Sequence, residues 1–111
     1  MNYVVPSLKK MTTDPRPWWV YVLLCHSGKT YTGMALDVEK RYQVHLAGRG
    51  SLFTRLNKPI CILAARQFPD RSAASAEEKA LKKASFYWLK RWCRNNAWPQ
   101  SCMGEASHSS D

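Results

Sequence analysis

Residues 20–45, VYVLLCHSGKTYTGMALDVEKRYQVH, decide the fold of this chain. The stretch begins inside an unbroken apolar and aromatic run, residues 18–25, which is typical of a buried central strand. Turn residues follow around Gly28, and residues 30–34 form a second short run. The pattern therefore predicts a hairpin of two strands.

The residues after the hairpin predict a helix. Asp37 has the side chain of an N-cap, and apolar residues then recur at helical spacing to about residue 47. Arg41 and His45 are four positions apart, so they lie on one face of this helix, beside its apolar stripe.

Two tyrosines lie on the two predicted strands, Tyr21 on the first and Tyr31 on the second. They share a face of the sheet only if the connecting loop has an odd number of residues. We therefore predict a loop of about three or five residues around Gly28, because a two-residue turn would place the phenols on opposite faces.

The rest of the chain predicts one more strand and one long helix. Residues 48–57 are expected to form a loop, and residues 60–68 a third strand. Ser72 or Ser75 is expected to cap a helix that reaches about Asn95. Its apolar stripe is Ala74, Leu81, Ser85, Trp88 and Trp92. The order strand, strand, helix, strand, helix predicts an α+β fold, a small three-stranded sheet flanked by helices.

Length and composition predict one domain with two flexible ends. A chain of 111 residues is large enough for a single modest core. Residues 1–16 are polar and contain prolines, so we expect a flexible arm, and residues 97–111 become Ser-rich and polar, so we expect a disordered tail. The folded domain is accordingly predicted over residues 17–96.

The charge is strongly basic, with 17 Lys and Arg against 8 Asp and Glu and a net charge of +9. In so small a domain this favours a polyanionic partner, most simply nucleic acid. No apolar stretch approaches the roughly 20 residues of a membrane span. The 4 cysteines include no Cys-x-x-Cys pair, which argues against a zinc ribbon and predicts free thiols in a reducing cytoplasm.

The ordered set of motifs resembles the GIY-YIG nuclease family, and most closely its small stand-alone bacterial members. WVY at residues 19–21 is similar to the GIY element except at its first residue, and YTG at residues 31–33 is similar to the YIG element. Arg41 matches the family's arginine, and the segment 68–72 resembles the one before the helix of the catalytic glutamate. That alignment places the glutamate at Glu78. The resemblance implies a metal-dependent endonuclease that hydrolyses phosphodiester bonds.

The resemblance implies roles for the matching residues. Tyr21 is the expected general base, Glu78 the expected ligand of Mg²⁺ or Mn²⁺, and Arg41 the expected donor to a phosphate oxygen. Tyr31 would position the phosphate or share the hydrogen bond of Tyr21. His45 would orient Tyr21, contact phosphate or act as the base itself, which its ordinary pKa of about 6.5 makes chemically easier than for a phenol.

Alternatives remain open at three points of this assignment. Glu77 becomes the metal ligand if the alignment slips by one residue, and Ser75 and Glu78 also have the spacing of a capping box. The lysine that some members carry shortly after the second tyrosine is missing, since Met34 and Ala35 stand there, which leaves nearby lysines such as Lys29 or Lys40 as substitutes.

The expected substrate is DNA, single-stranded or branched, because a separate duplex-recognition domain does not fit into this length. Exposed aromatics such as Tyr42, Phe53 and Trp98 are expected to stack on unpaired bases. The residues expected to bind substrate are Thr32, Gly33, Arg49, Ser51, Thr54 and Arg55. The alternative function is a non-catalytic, basic nucleic-acid-binding adaptor that keeps the nuclease fold.

Overall fold

The computed structural model describes residues 16–99. The fold is α+β, as predicted: a three-stranded antiparallel sheet with four helices distributed over its two faces. Residues 1–15 of the predicted arm and residues 100–111 of the predicted tail lie outside the described part of the chain.

The sheet has the order β2-β1-β3, so the apolar strand β1 (Trp18–Cys25) is central. The strand β2 (Thr30–Ala35) pairs antiparallel with one side of β1, and β3 (Pro59–Phe68) pairs antiparallel with the other. β1 is buried along most of its length because both of its edges are paired and both of its faces are covered. β2 is an edge strand.

The hairpin loop confirms the prediction that places the two phenols on one face. The Cys25 amide donates to the Lys29 carbonyl oxygen at 2.9 Å, which leaves 3 residues, 26–28, in the loop. Gly28 has φ +84°, the left-handed conformation that ends such a loop most easily when the residue is glycine. In the resulting register Tyr21 pairs with Gly33 and Leu23 with Tyr31, so the two tyrosines are diagonal neighbours on one face.

The helix α1 (Val38–Leu46) forms where the sequence predicts it, and the Asp37 carboxylate accepts from the Lys40 amide as its N-cap. The following segment is not purely a loop, and this part of the prediction is wrong. It contains the short helix α2 (Leu52–Leu56), because the Ser51 hydroxyl caps it by accepting from the Thr54 amide.

The predicted long C-terminal helix is in fact two helices, α3 (Arg71–Lys83) and α4 (Phe86–Asn95). Ala84 adopts an extended backbone with ψ 152°, and the Ser85 hydroxyl caps α4 by accepting from the Trp88 amide. Ser85 therefore interrupts the apolar stripe instead of belonging to it. The N-cap of α3 is Asp70 and not a serine, since its carboxylate accepts from the Ala73 amide.

The described helices cover the two sheet faces unequally. α3 and α4 pack on the face of Val20 and Val22 through core residues such as Ala74, Leu81 and Cys93. The opposite face, with Tyr21 and Leu23, is covered by α1 through Val38 and Tyr42. The site described below lies on this second face.

Three further observations correct or limit the predictions. Ala97, assigned to the tail, forms an antiparallel bridge with Ala64, and the Trp98 amide donates to the Leu63 carbonyl oxygen at 3.2 Å.

Cys61 is disulfide-bonded, so the expectation of free thiols is wrong for that cysteine, whereas Cys25 and Cys93 are free and buried. None of the helices within residues 16–99 has the length and apolarity needed to span a bilayer.

Candidate active site

One pocket of about 300 Å³ brings together the side chains that the sequence predicts to act as a set: Tyr21, Tyr31, Arg41, His45 and Glu78. β1 and β2 carry the tyrosines, whose ring centroids are 6.4 Å apart, and one turn of α1 carries the arginine and the histidine. α3 contributes the glutamate although it packs on the opposite face of the sheet. The pocket therefore lies beside β2, at the edge of the sheet. Its lining is completed by Gly33, Met34, Arg49, Gly50 and Ser51.

A buried chain of hydrogen bonds begins at the Tyr21 hydroxyl. The Tyr21 Oη lies 3.0 Å from Nε2 of His45, and Nδ1 of His45 lies 2.8 Å from Oγ1 of Thr54. The Thr54 hydroxyl donates to the Ser51 carbonyl oxygen at 3.1 Å, so its oxygen accepts from the histidine. We therefore assign the proton of neutral His45 to Nδ1, which leaves Nε2 to accept from Tyr21.

Burial shifts both members of this pair towards their neutral forms. Desolvation raises the pKa of Tyr21 well above its ordinary value; the neighbouring Tyr31 and Glu78 raise it further, whereas Arg41 lowers it. Desolvation lowers the pKa of His45, and the charge of Arg41 lowers it further. At neutral pH a protonated phenol thus donates to an unprotonated imidazole nitrogen.

Two glycines allow the chain to approach this pair closely. A Cβ at Gly33 would lie 2.5 Å from the Tyr21 oxygen, and a Cβ at Gly50 would lie 2.2 Å from Nδ1 of His45. Both distances are far below van der Waals contact, so a side chain at either position would displace a ring of the hydrogen-bonded pair. The absence of a side chain at Gly33 and at Gly50 therefore leaves room for the Tyr21 and His45 rings in this arrangement.

Glu78 is the carboxylate of this pocket, and its side chain is 18% exposed. Its carboxylate lies 3.4 Å from the Lys82 ammonium one turn along α3, so the position already holds a positive charge. Within residues 16–99 no group of three or more His, Cys, Asp or Glu side chains is arranged for a metal ion. A single carboxylate nevertheless fits Mg²⁺, which usually keeps several waters and binds phosphate oxygens.

The two neighbouring glutamates lie in different surroundings. The Trp92 indole Nε1–H donates to Oε2 of Glu77 at 2.7 Å, so this carboxylate binds α4 and does not line the pocket. Glu78 lines it. Ser75 and Glu78 do not form a capping box, because α3 begins four residues before Ser75, at Arg71.

The GIY-YIG catalytic domain matches residues 17–87 of the chain, well over half of its length. The chain belongs to the GIY-YIG family. This family is one of endonuclease domains, so the fold and the nucleic-acid substrate follow from membership.

Bacterial relatives match the same part of the chain. A UPF0213 protein of Xanthomonas campestris pv. campestris is 46% identical over 69 residues, which is 62% of this chain and 68% of the relative. A UPF0213 protein of Streptococcus sanguinis is 38% identical over 65 residues, 59% of this chain and 75% of the relative. The solution structure of a UPF0213 protein from Bacillus halodurans is 30% identical, covers 75% of this chain and 88% of its own, and superimposes with a TM-score of 0.49.

The first element of this GIY-YIG domain departs from the family motif for a visible structural reason. Trp19, which stands where the motif has its first residue, packs edge-on against Trp98 with ring centroids 5.9 Å apart. That contact holds the segment after α4 against the sheet, next to the bridge formed by Ala97. The tyrosine of the element, Tyr21, keeps its place in the pocket.

Not every predicted substrate residue of this GIY-YIG domain reaches the pocket. Thr32 is buried on the opposite sheet face from Tyr31, because side chains alternate along a strand. Thr54 is only 1% exposed and binds His45, so it does not contact substrate there. Arg55 is exposed on α2 but is not part of the lining, whereas Gly33, Arg49 and Ser51 are.

Sequence reasoning missed two contributors. Thr54 was predicted to bind substrate, and its contact with His45 had no signal, because nothing in the local pattern pairs residues 45 and 54. Lys82 has no role in the predicted site, yet its ammonium binds Glu78 and lies 6.0 Å from the centroid of the Tyr31 ring. The spacing of four residues from Glu78 was the signal for it.

Proposed function

We propose that this protein is a metal-dependent DNA endonuclease that hydrolyses phosphodiester bonds, acting preferentially on single-stranded or otherwise non-duplex DNA. One observation carries the proposal: a phenol, an imidazole, a guanidinium and a carboxylate line the same open pocket at the edge of a basic domain. These groups supply a proton acceptor, a phosphate-binding cation and a metal ligand, which are the functions that hydrolysis of a phosphodiester needs.

The proposed base is the hydrogen-bonded pair and not either residue alone. Tyr21 takes a proton from the attacking water while its own proton passes to Nε2 of His45, so neither a free phenolate nor a free hydroxide has to exist beforehand. His45 does not meet the water directly, since both of its ring nitrogens are hydrogen-bonded. Thr54 keeps the other nitrogen protonated and is thus a positioning residue.

The remaining polar groups serve the phosphate. Arg41 offers a fork of N–H donors to the non-bridging oxygens, and Tyr31 offers a second hydroxyl in the same pocket. Glu78 would hold the Mg²⁺ or Mn²⁺ ion, which when bound stabilises negative charge on the phosphate and the leaving oxygen. Lys82, which neutralises Glu78 here, is the group that the ion would replace.

The preference for unpaired DNA is supported by Phe53, one of the three aromatics expected to stack on bases. Its ring stacks on Tyr31 at 6.0 Å, beside the pocket. The other two serve the fold, because the Tyr42 hydroxyl donates to the Ile60 carbonyl oxygen and Trp98 packs on Trp19. A base that stacks on Phe53 must have that face free of a neighbouring base, as a base in a single-stranded segment can.

The test compares matched variants on labelled single-stranded and duplex DNA, with Mg²⁺ or Mn²⁺ and then with chelator. Glu78→Gln and Arg41→Ala are expected to lower the cleavage rate by about a hundredfold or more. Their controls are Glu39→Gln, an exposed acid on α1, and Arg66→Ala, an exposed arginine on β3, which should cleave like the wild type. Binding without cleavage in every condition would contradict the proposal and favour the adaptor.

A further inference from the structure

A groove leads away from the active pocket along the edge strand β2. A second concavity of about 320 Å³ shares Tyr31 with the pocket and contains Phe53 and Lys82. A third, of about 200 Å³, shares Thr30 and Leu89 with the second. We call these two concavities together the edge groove. It joins the catalytic pocket to α4.

The far end of the edge groove combines an exposed ring with cations. Phe86 is 71% exposed, and Lys90 and Arg94 follow it at intervals of four residues, so the three side chains form one row along α4. The Lys90 ammonium lies 5.6 Å from the centroid of the Phe86 ring. α4, with the sequence FYWLKRWCRN, contains no acidic residue, so the row has no internal counter-charge.

We propose that the edge groove binds the single-stranded segment that flanks the cleaved linkage, with a base on Phe86 and phosphates at Lys90 and Arg94. This inference rests on the proposed function and adds a subsite to it. Rings stack on bases of any sequence, and Lys and Arg beside them bind the backbone. A duplex does not offer this combination, because its base faces are already stacked on one another.

Aromatic and basic residues on one helix also occur in helices that lie on membranes. The edge groove favours nucleic acid for a geometric reason. Phe86, Lys90 and Arg94 end a groove that begins at Tyr31, so a strand held in the pocket meets them next. Binding to a lipid surface would not require these residues to lie at the end of a groove that starts at the pocket.

The same helix provides a matched control on its other side. Trp88 and Arg91 repeat the pairing of an exposed ring with a cation, since the Arg91 guanidinium lies 5.6 Å from the Trp88 ring centroid. These two residues line a different concavity, with Ala80 and Asn95, which adjoins the edge groove at Leu81 and Ala84 but contains none of Phe86, Lys90 and Arg94. Substitutions there remove a similar ring and charge from a different place.

The first experiment measures DNA binding without cleavage. Phe86→Ala, the double variant Lys90→Gln/Arg94→Gln, and the controls Trp88→Ala and Arg91→Gln are made in the Glu78→Gln background, and thermal unfolding checks that each is folded. Fluorescence anisotropy with a long single-stranded oligonucleotide should show about tenfold weaker binding for each groove variant, the effect of one lost stacked base or two lost phosphate contacts. The slope of log K against log[salt] should fall by roughly 0.7 per lost phosphate contact in the double variant only.

The second experiment measures cleavage with Glu78 intact. The groove variants should raise KM for the long oligonucleotide about tenfold at unchanged kcat. A trinucleotide fills only the pocket, so these variants should cleave it at the wild-type rate. Equal losses in groove and control variants, or losses that also appear with the trinucleotide, would overturn the edge groove while leaving the nuclease intact.

Failure of the proposed function has a different signature. If the wild type cleaves no DNA, but the groove variants bind DNA more weakly than the control variants do, the nuclease is refuted and the edge groove is supported. If the groove variants bind anionic vesicles more weakly but bind DNA as tightly as before, the row on α4 is a membrane contact and the inference is overturned.

Discussion

Thr54→Val tests the reasoning about the proton acceptor most directly. Valine keeps the shape of threonine and removes its hydroxyl, so Nδ1 of His45 loses the acceptor that lies 2.8 Å away in a site that is 1% exposed at residue 54. A buried donor left without a partner costs about 1–3 kcal/mol. That same free energy selects the tautomer whose Nε2 accepts from Tyr21.

The magnitude follows from these numbers. Losing about 1–3 kcal/mol lowers the ratio of the productive tautomer to the other tautomer by about 5- to 150-fold, at 1.36 kcal/mol per factor of ten. The single-turnover rate on single-stranded DNA follows the population of that tautomer and should fall measurably, by at most that factor, and the free energy of unfolding should fall by a similar 1–3 kcal/mol. Thr54→Ser keeps the hydroxyl and should retain most of the wild-type rate.

The assay combines single-turnover cleavage with ¹⁵N NMR of the His45 ring, which distinguishes a protonated from an unprotonated ring nitrogen. The wild type should carry its proton on Nδ1, and Thr54→Val should shift it towards Nε2. A wild-type protein with the proton on Nε2, or a valine variant that cleaves at the wild-type rate, would refute the proton path from Tyr21 through His45.

Three further outcomes are expected. Gly50→Ala should lower the single-turnover rate at least about tenfold and the free energy of unfolding by about 1–3 kcal/mol, because its Cβ would lie 2.2 Å from Nδ1 of His45; chemical denaturation and cleavage measure both. The lowered pKa of His45 means that the unfolded chain binds its proton first, so stability falls as pH drops below about 6.5, and His45→Gln should flatten this dependence in urea titrations from pH 8 to pH 5. The wild-type cleavage rate should fall only at a lower pH, because it follows protonation of His45 in the folded enzyme, where its pKa is lowered. Trp92→Phe removes the donor to Glu77 and should lower the free energy of unfolding by about 1.5–3 kcal/mol with an unchanged cleavage rate, which would separate that glutamate from Glu78.

The sequence predicted the elements that depend on local pattern. The apolar run of β1, the N-cap Asp37 and the Gly28 loop all formed as expected, since each depends on residues within a few positions of one another. Where two local signals competed, the prediction failed. The apolar stripe of the C-terminal segment continued through Ser85, but the capping hydroxyl of that residue ended one helix and began the next.

The site could be predicted in part for the same reason. Strand parity places Tyr21 and Tyr31 on one sheet face, and helical spacing places Arg41 and His45 on one helix face; the resemblance to the GIY-YIG family implied that the two pairs meet, and they line one pocket. The burial of Thr54 and its contact with His45 could not be predicted from the sequence. The exposure of a residue depends on which elements pack against it, and α2 places the Thr54 hydroxyl next to His45.

By itself, the sequence determined the hairpin, the first helix and the basic character of the chain, because the pattern of apolar residues, the capping residues and the composition can all be identified from neighbouring residues or from simple counts. Only the tertiary structure decided which nitrogen of His45 faces Tyr21, which of two adjacent glutamates enters the pocket, and that neighbouring concavities with shared lining residues lie between this pocket and α4. These features join elements that are distant in sequence. Contacts of that kind are fixed by the packing of helices on the sheet, which no local pattern records.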